Sequence, residues 1–273
     1  MINAISIDLE DWFCVSNLSG VIQKDHWDEC ELRVESNTRR LLDLFDRHNV
    51  RATFFVLGWI ADRVPALVRE IEARNHEIAV HGHDHLLVTK ATPQEFERDL
   101  QRALESLARS GVRQQPIGFR APSFSIVKET KWALDILERF NFQYDSSVFP
   151  MGLHPDYGIP NAPLKPYKIT ERLYEVPLGC VEIFGKRIPC GGGGYFRFFP
   201  YTFTKRMIEL SNGRGIPIVF YLHPWELDPG QPKVKIPLMK SIRHYYGLSQ
   251  TEGKLEMLLR DFQFTTIRKV LGL

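Results

Sequence analysis

Short apolar runs alternate with longer amphipathic stretches through the first two thirds of the 273-residue chain. Residues 4–9 read as a strand entering the acidic cluster Asp8-Leu9-Glu10-Asp11. Leu41, Leu42 and Phe45 share one face of a helix that Ser36 can cap, and residues 52–57 form a β-rich run after it. Pro65 suits the first turn of the next helix, with Leu67, Val68 and Ile71 on one side. Residues 78–80 make a short buried strand leading to a histidine cluster. Thr92, Pro93, Glu95 and Gly111 start and stop the best-specified helix, around a stripe of Phe96, Leu100, Ala103, Leu104 and Leu107. Further strands are predicted at 117–119, 142–144, 173–176 and 217–222, with helices near 131–140 and 202–210. This alternation argues for an α/β fold with a parallel sheet or barrel, whose sites form just past the strand ends.

Two segments break the pattern. Residues 151–168 are rich in Pro and Gly, and read as a long ordered loop. Residues 190–195 carry four glycines with no Lys-Ser/Thr after them and no dinucleotide fingerprint, so they read as a tight loop rather than a phosphate cradle. With no repeat or linker, the expectation is one domain over 1–273, with its core at about 4–230 and an extension at about 231–273.

Composition narrows the function classes. With 44% hydrophobic and 25% charged residues the balance is globular, and a net charge of +2 gives no case for nucleic acid. The densest basic stretch, 233–243, is short and broken by Pro237. The first residues lack a secretory pattern, and no window approaches the ~18 apolar residues of a membrane span. Cys14, Cys30, Cys180 and Cys190 form no Cys-x-x-Cys pair and read as free thiols of a reducing compartment, which suggests the cytoplasm.

Four constellations follow strands. In His81-Gly82-His83-Asp84-His85, one helical turn would set His81 and His85 on the same side, ~6 Å apart, a workable spacing for two ligands of one metal. Asp8, Glu10 and Asp11 supply carboxylates for a ligand and a base, and alternation puts Asp8 and Glu10 on one face and Asp11 on the other. Arg120 follows a strand and could pair with an acid of the first cluster. His223, before Pro224, is a general-acid candidate because its pKa lies near neutrality.

The ordered set resembles the polysaccharide deacetylases of carbohydrate esterase family 4, the NodB-homology group. It is especially similar to the subgroup found with bacterial exopolysaccharide (PEP-CTERM-associated) systems, whose members begin Asp-x-Glu-Asp-aromatic. The motifs span residues 5–226, and 191–200, 244–246 and 254–267 look like that subgroup's C-terminal extension. The resemblance implies a distorted (β/α) barrel with the extension packed on it, and a divalent metal, expected to be Zn2+. It implies Asp8 as base, His81 and His85 as metal ligands with Glu10 or Asp11 as the third, and Arg120 holding the base. Pro122 belongs to the arginine motif, Ser123 offers an oxyanion-binding N–H, Asp145 lines the groove, Leu222 borders the acetyl pocket, and His223 is the acid. Gly82 stands where the family usually has Ser or Thr, and Ser123 where Tyr is common.

The reaction implied is removal of N-acetyl groups from amino sugars of a polysaccharide or its lipid-linked precursor. The partner is thus a carbohydrate, with no nucleic acid and no integral membrane segment, and the inner face of the membrane is one place to meet it. Trp12, Phe13, Tyr195, Phe198 and Trp225 are candidate sugar platforms, and Arg197 a candidate for an acidic group. Two alternatives stand beside this reading: hydrolysis of a small cyclic amide such as an imide or ureide, and a non-catalytic carbohydrate-binding protein.

Overall fold

The computed structural model describes residues 1–152 and 158–273. Strand β1 (Ile2–Leu9), buried from Asn3 onward, is followed by α1 (Val34–Arg47), β2 (Thr53–Val56), α2 (Gly58–Arg63), α3 (Pro65–Ala73) and β3 (Glu77–Val80). Then come α4 (Pro93–Ser110), β4 (Gly118–Phe119), α5 (Trp132–Arg139), β5 (Tyr144–Asp145), β6 (Tyr167–Lys168) and β7 (Tyr174–Glu175). A hairpin, β8 (Cys180–Ile183) and β9 (Lys186–Pro189), precedes α6 (Gly193–Phe198), α7 (Tyr201–Gly213) and β10 (Val219–Leu222). The chain closes with α8 (Leu238–Tyr245), α9 (Leu248–Asp261), β11 (Gln263–Thr265) and α10 (Ile267–Leu271).

These strands form a curled parallel sheet in the order β10-β1-β2-β3-β4-β5-β7-β6, with β11 added to the start of β1. Among the described residues only β6 runs antiparallel within it. Because β10, β1, β2, β3 and β4 are parallel neighbours, the residues following them emerge along one edge of the sheet. Of the predicted loop at 151–168, residues 153–157 lie outside the described residues; part of the remainder is strand β6.

Local chemistry fixes the elements. At α4, the Thr92 hydroxyl accepts from the Glu95 N–H while the Glu95 carboxylate accepts from the Thr92 N–H, and Gly111 closes the helix with φ +87°. Helix α1 is capped differently from the expectation. Ser36 lies inside the helix, its hydroxyl donating to the Arg33 carbonyl, and the free N–H groups at the start are met from the turn just past β1. Asp11 Oδ2 accepts from the N–H groups of Arg33 at 2.8 Å and Val34 at 2.9 Å.

The extension shares the central core. Leu248, Leu255, Leu258 and Phe264 are buried in the same cluster as Ile5, Ile7 and Phe220. The glycine run at 191–194 has a packing reason: Gly192, at φ +113°, lies so near β10 that a Cβ would meet the Tyr221 carbonyl oxygen at 1.9 Å. The four cysteines form no disulfide, and among the described residues no helix is long and apolar enough to cross a membrane.

Candidate metal centre and active site

Glu10, His81, Arg120 and His223 each sit one residue past the end of β1, β3, β4 and β10. The parallel sheet therefore delivers all four to one edge, where Glu10 and His223, with Asp8 and His85, line a cavity of about 630 Å³ and His81 and Arg120 lie buried behind them. Glu10 Oε1 lies 2.8 Å from His81 Nε2 and 3.0 Å from His85 Nε2. The three offer ligand atoms all within 4.8 Å of one another.

The convergence of the two histidines has another origin than a helical turn. Residues 81–85 form an irregular loop, bent by φ +72° at Gly82 and φ +53° at His85. It still brings the two rings to 5.7 Å between centroids. Gly82 is required there on two counts, since a Cβ would also meet Asp99 Oδ2 at 2.7 Å. That carboxylate accepts from the N–H groups of His83 and Asp84 and so sets the bend. His83, the middle histidine, faces elsewhere and pairs with Asp62 and Asp84.

The donor set suits a cation. His81 Nδ1 lies 2.8 Å from the Arg120 carbonyl oxygen, which can only accept, so Nδ1 carries a proton. In neutral His81 the lone pair of Nε2 then faces the Glu10 carboxylate, which is also an acceptor. A proton or a metal ion must lie between them. Burial raises the Glu10 pKa, but His85 and His81 outweigh it and hold the carboxyl well below its usual range. Asp11 serves a different purpose. Its carboxylate is taken up by the N–H groups of Trp12, Arg33 and Val34, and burial raises its pKa to about 6.

Beside this triad stand the candidate base and acid. Arg120 is completely buried and donates to Asp8 Oδ1 at 2.6 Å. Its other donors reach Ser6 Oγ and the carbonyl and hydroxyl of Ser146, so the guanidinium is held from several sides. Asp8 Oδ2 lies 3.8 Å from His223 Nε2. On the far side of that ring, Nδ1 is 2.8 Å from Glu226 Oε1, and Glu226 Oε2 is 2.6 Å from Arg197 Nε. Burial lowers the His223 pKa, but the bond to Glu226 and the charges of Glu10, Glu226 and Asp8 outweigh it and raise it to about 9.

Several predicted contacts fall elsewhere. Arg197 reaches the cavity wall, but its donors go to Glu226 and to the carbonyls of Arg243, His244 and Tyr246, so it ties the extension to the site instead of receiving an acidic group. Asp145 is fully buried behind Arg120, accepting from Ser147 Oγ and adjoining Glu175, so it does not line the groove. Pro122 and Leu222 are likewise buried behind the lining, whereas Ser123 and Tyr195 reach it. Trp225 also reaches it, but its ring is sandwiched between His223 and His244. Trp12 and Phe13 are core, Phe13 packing on Trp27 and Trp59, while Phe198 is exposed at the cavity. Glu226, Glu175 and the supporting role of Arg197 were missed. Glu226, three residues after His223 in a short capped turn, was the one with a local signal.

The comparisons bear on this geometry. Residues 26–144 match the family model described as polysaccharide deacetylase, and residues 146–272 match a domain of unknown function (DUF3473). Residues 26–144 are thus similar to polysaccharide deacetylase domains. His81, His85 and Arg120 lie within that matched stretch. The peptidoglycan deacetylase-like protein FGM2 of Gibberella zeae is 34% identical over 111 residues, 40% of this chain and 32% of that protein. The match thus spans about a third of that relative's length. Other curated relatives of the deacetylase domain are named as deacetylases of peptidoglycan or chitooligosaccharide. Among solved structures, a Mycobacterium smegmatis protein described as a polysaccharide deacetylase superposes with TM-score 0.62 at 19% identity, covering 98% of this chain and 89% of that one. The Puue allantoinase superposes with TM-score 0.62 at 15% identity, covering 98% and 87%. At such identities the likeness is one of fold.

Proposed function

We propose that this chain is a metal-dependent hydrolase that removes N-acetyl groups from amino sugars of a polysaccharide or its lipid-linked precursor. One observation carries the reading: Glu10 and His85 of the Glu10–His81–His85 triad line one cavity with an arginine-held aspartate and a glutamate-backed histidine. Glu10, His81 and His85 would hold the ion, with zinc suited to two imidazoles and a carboxylate. When bound, such an ion supplies Lewis acidity, polarising the amide carbonyl and easing deprotonation of water.

The chain's own groups do the rest. Asp8, paired through Oδ1 with Arg120, keeps Oδ2 turned toward the cavity and takes the proton from the attacking water. As the amide carbon becomes tetrahedral, the Ser123 N–H donates to its oxyanion. Ser123 is held at φ +52° in the loop after β4, its hydroxyl 2.6 Å from Ser16 Oγ. His223, protonated on Nε2 and fixed through Nδ1, gives that proton to the departing nitrogen as the C–N bond breaks. Acetate and a free amine result. Tyr195 and Phe198 offer ring faces to the sugar at the cavity wall. The whole chain acts as one unit, and the exopolysaccharide subgroup, with action at the inner face of the membrane, supplies the setting.

The test is metal content by elemental analysis together with acetate release from N-acetylated oligosaccharides, for the wild type and His81→Ala. About one ion per chain and acetate release, both lost in the variant, are expected. Metal without acetate release, and ring opening of a cyclic amide instead, would overturn the reading.

A further inference from the structure

Helix α8 has its apolar side turned outward. Leu238 and Met239 are 74% and 76% exposed, and Ile242, one turn later, is exposed on the same face. The packed side carries His244, fully buried against Trp225, and Tyr245, whose hydroxyl bonds Pro232 and Val234. Just past the helix, exposed Tyr246 stacks on exposed Phe198 with centroids 4.7 Å apart, and Phe198 belongs to the cavity wall. Single exposed apolar residues are ordinary, whereas a set on one helix face beside a cavity mouth marks an interaction surface.

The charge along this segment of the chain has one sign. From Pro229 to Thr251 the sequence has no Asp or Glu, but it has Lys233, Lys235, Lys240 and Arg243. Lys233, Lys235 and Lys240 are exposed, and Lys240 also lines the cavity. An outward helix with apolar side chains on its crest and cations beside them matches a membrane interface, where apolar groups enter the acyl boundary and cations meet phosphates. The alternative of a stable protein interface needs about 800 Å² per partner, more than one eight-residue helix presents.

We propose that α8, with Lys233 and Lys235, docks on an anionic phospholipid bilayer and holds the cavity mouth at the headgroup plane. The docking stands on exposure and charge alone; its use in presenting a lipid-linked glycan rests on the deacetylase reading.

The experiment is flotation of the full chain with phosphatidylcholine vesicles, with and without phosphatidylglycerol, at low and high salt. Flotation with the anionic vesicles only, weakened by salt, is expected. Leu238→Ser/Met239→Ser should cut partitioning by roughly tenfold or more, and Lys233→Glu/Lys235→Glu by about tenfold. Both variants should keep the wild-type melting temperature. Absence of flotation with anionic vesicles, or flotation indifferent to both variants, would overturn the proposal. So would a concentration-dependent dimer abolished by Leu238→Ser/Met239→Ser, which would give the face to a second copy. Acetate release from a soluble oligosaccharide without vesicles is read in parallel. Its failure would overturn the deacetylase reading and leave the docking result standing.

Discussion

His223 Nδ1 lies 2.8 Å from Glu226 Oε1, and this bond holds the ring with Nε2 toward Asp8. With burial opposing and Glu226 foremost among the groups that raise it, the His223 pKa stands at about 9, so the ring is charged at neutral pH. An acid should lose activity as it deprotonates, so the basic limb of the rate profile should fall near pH 9 before metal is considered. A cation on Glu10 offsets one of the charges that raise the pKa, and brings the limb lower. Glu226→Gln should move the limb lower still and cut the rate at pH 8 by roughly 10- to 100-fold, measured as a pH–rate profile of kcat. The stability sign follows from the same shift. A raised histidine pKa contributes stability that is complete below pH ~6.5 and lost as pH rises through about 9.

Neighbouring acids at the end of β1 should fail in different ways. Glu10→Gln should lose bound metal and acetate release while melting near the wild-type temperature. Asp11→Ala removes the acceptor of three backbone N–H groups and should cost about 2 kcal/mol in urea unfolding, with metal stoichiometry retained. Metal loss in Asp11→Ala with wild-type stability would reverse the assignment.

Removal of Arg120 leaves a buried carboxylate without its partner. Arg120→Ala should destabilise the fold by about 3–5 kcal/mol in denaturant titration. Asp8→Asn should be far milder in stability, yet should abolish acetate release with metal still bound.

The carboxyl pair behind the site predicts an acid-side stability gain. Burial raises Asp145 to about 6 and, together with Asp145, raises Glu175 well above its usual value. Folding therefore favours protons on the pair, and its contribution falls as pH climbs from about 4 through 6. Thermal melts from pH 5 to 7.5 should show this decline, and Glu175→Gln should flatten it. Equal slopes in both proteins would remove the pair from the account.

The alternation of strands and helices, and the strand ends that carry the candidate residues, were legible because they depend on short periods. Asp8 on β1 and Glu10 just past it both line the cavity while Asp11 turns to the start of α1, the division that strand alternation predicts, and Thr92, Glu95 and Gly111 mark α4 unambiguously. The histidine spacing was legible too, but its cause was not: a loop with left-handed φ at Gly82 and His85 has no periodicity to read. Choosing between Glu10 and Asp11 required knowing where the start of α1 would lie in space, since its N–H groups occupy Asp11. Arg197 misled for a similar reason. Its partners are Glu226 and backbone carbonyls at 243–246, about 30 to 50 residues away, and carbonyls leave no mark in a sequence.

The anchoring of Arg197 bears on how such proteins can be recombined. Asp8 and Glu10 precede both matched regions, His81, His85 and Arg120 fall in one, and Arg197, His223 and Glu226 fall in the other. A chimera that joins this chain's second half to another first half carries the candidate proton donor together with a carboxylate steered by a guanidinium clamped on the tail's backbone. The donor, its steering carboxylate and the turn at 243–246 therefore form a single heritable block, and any exchange point between them should produce a protein that folds around an idle acid.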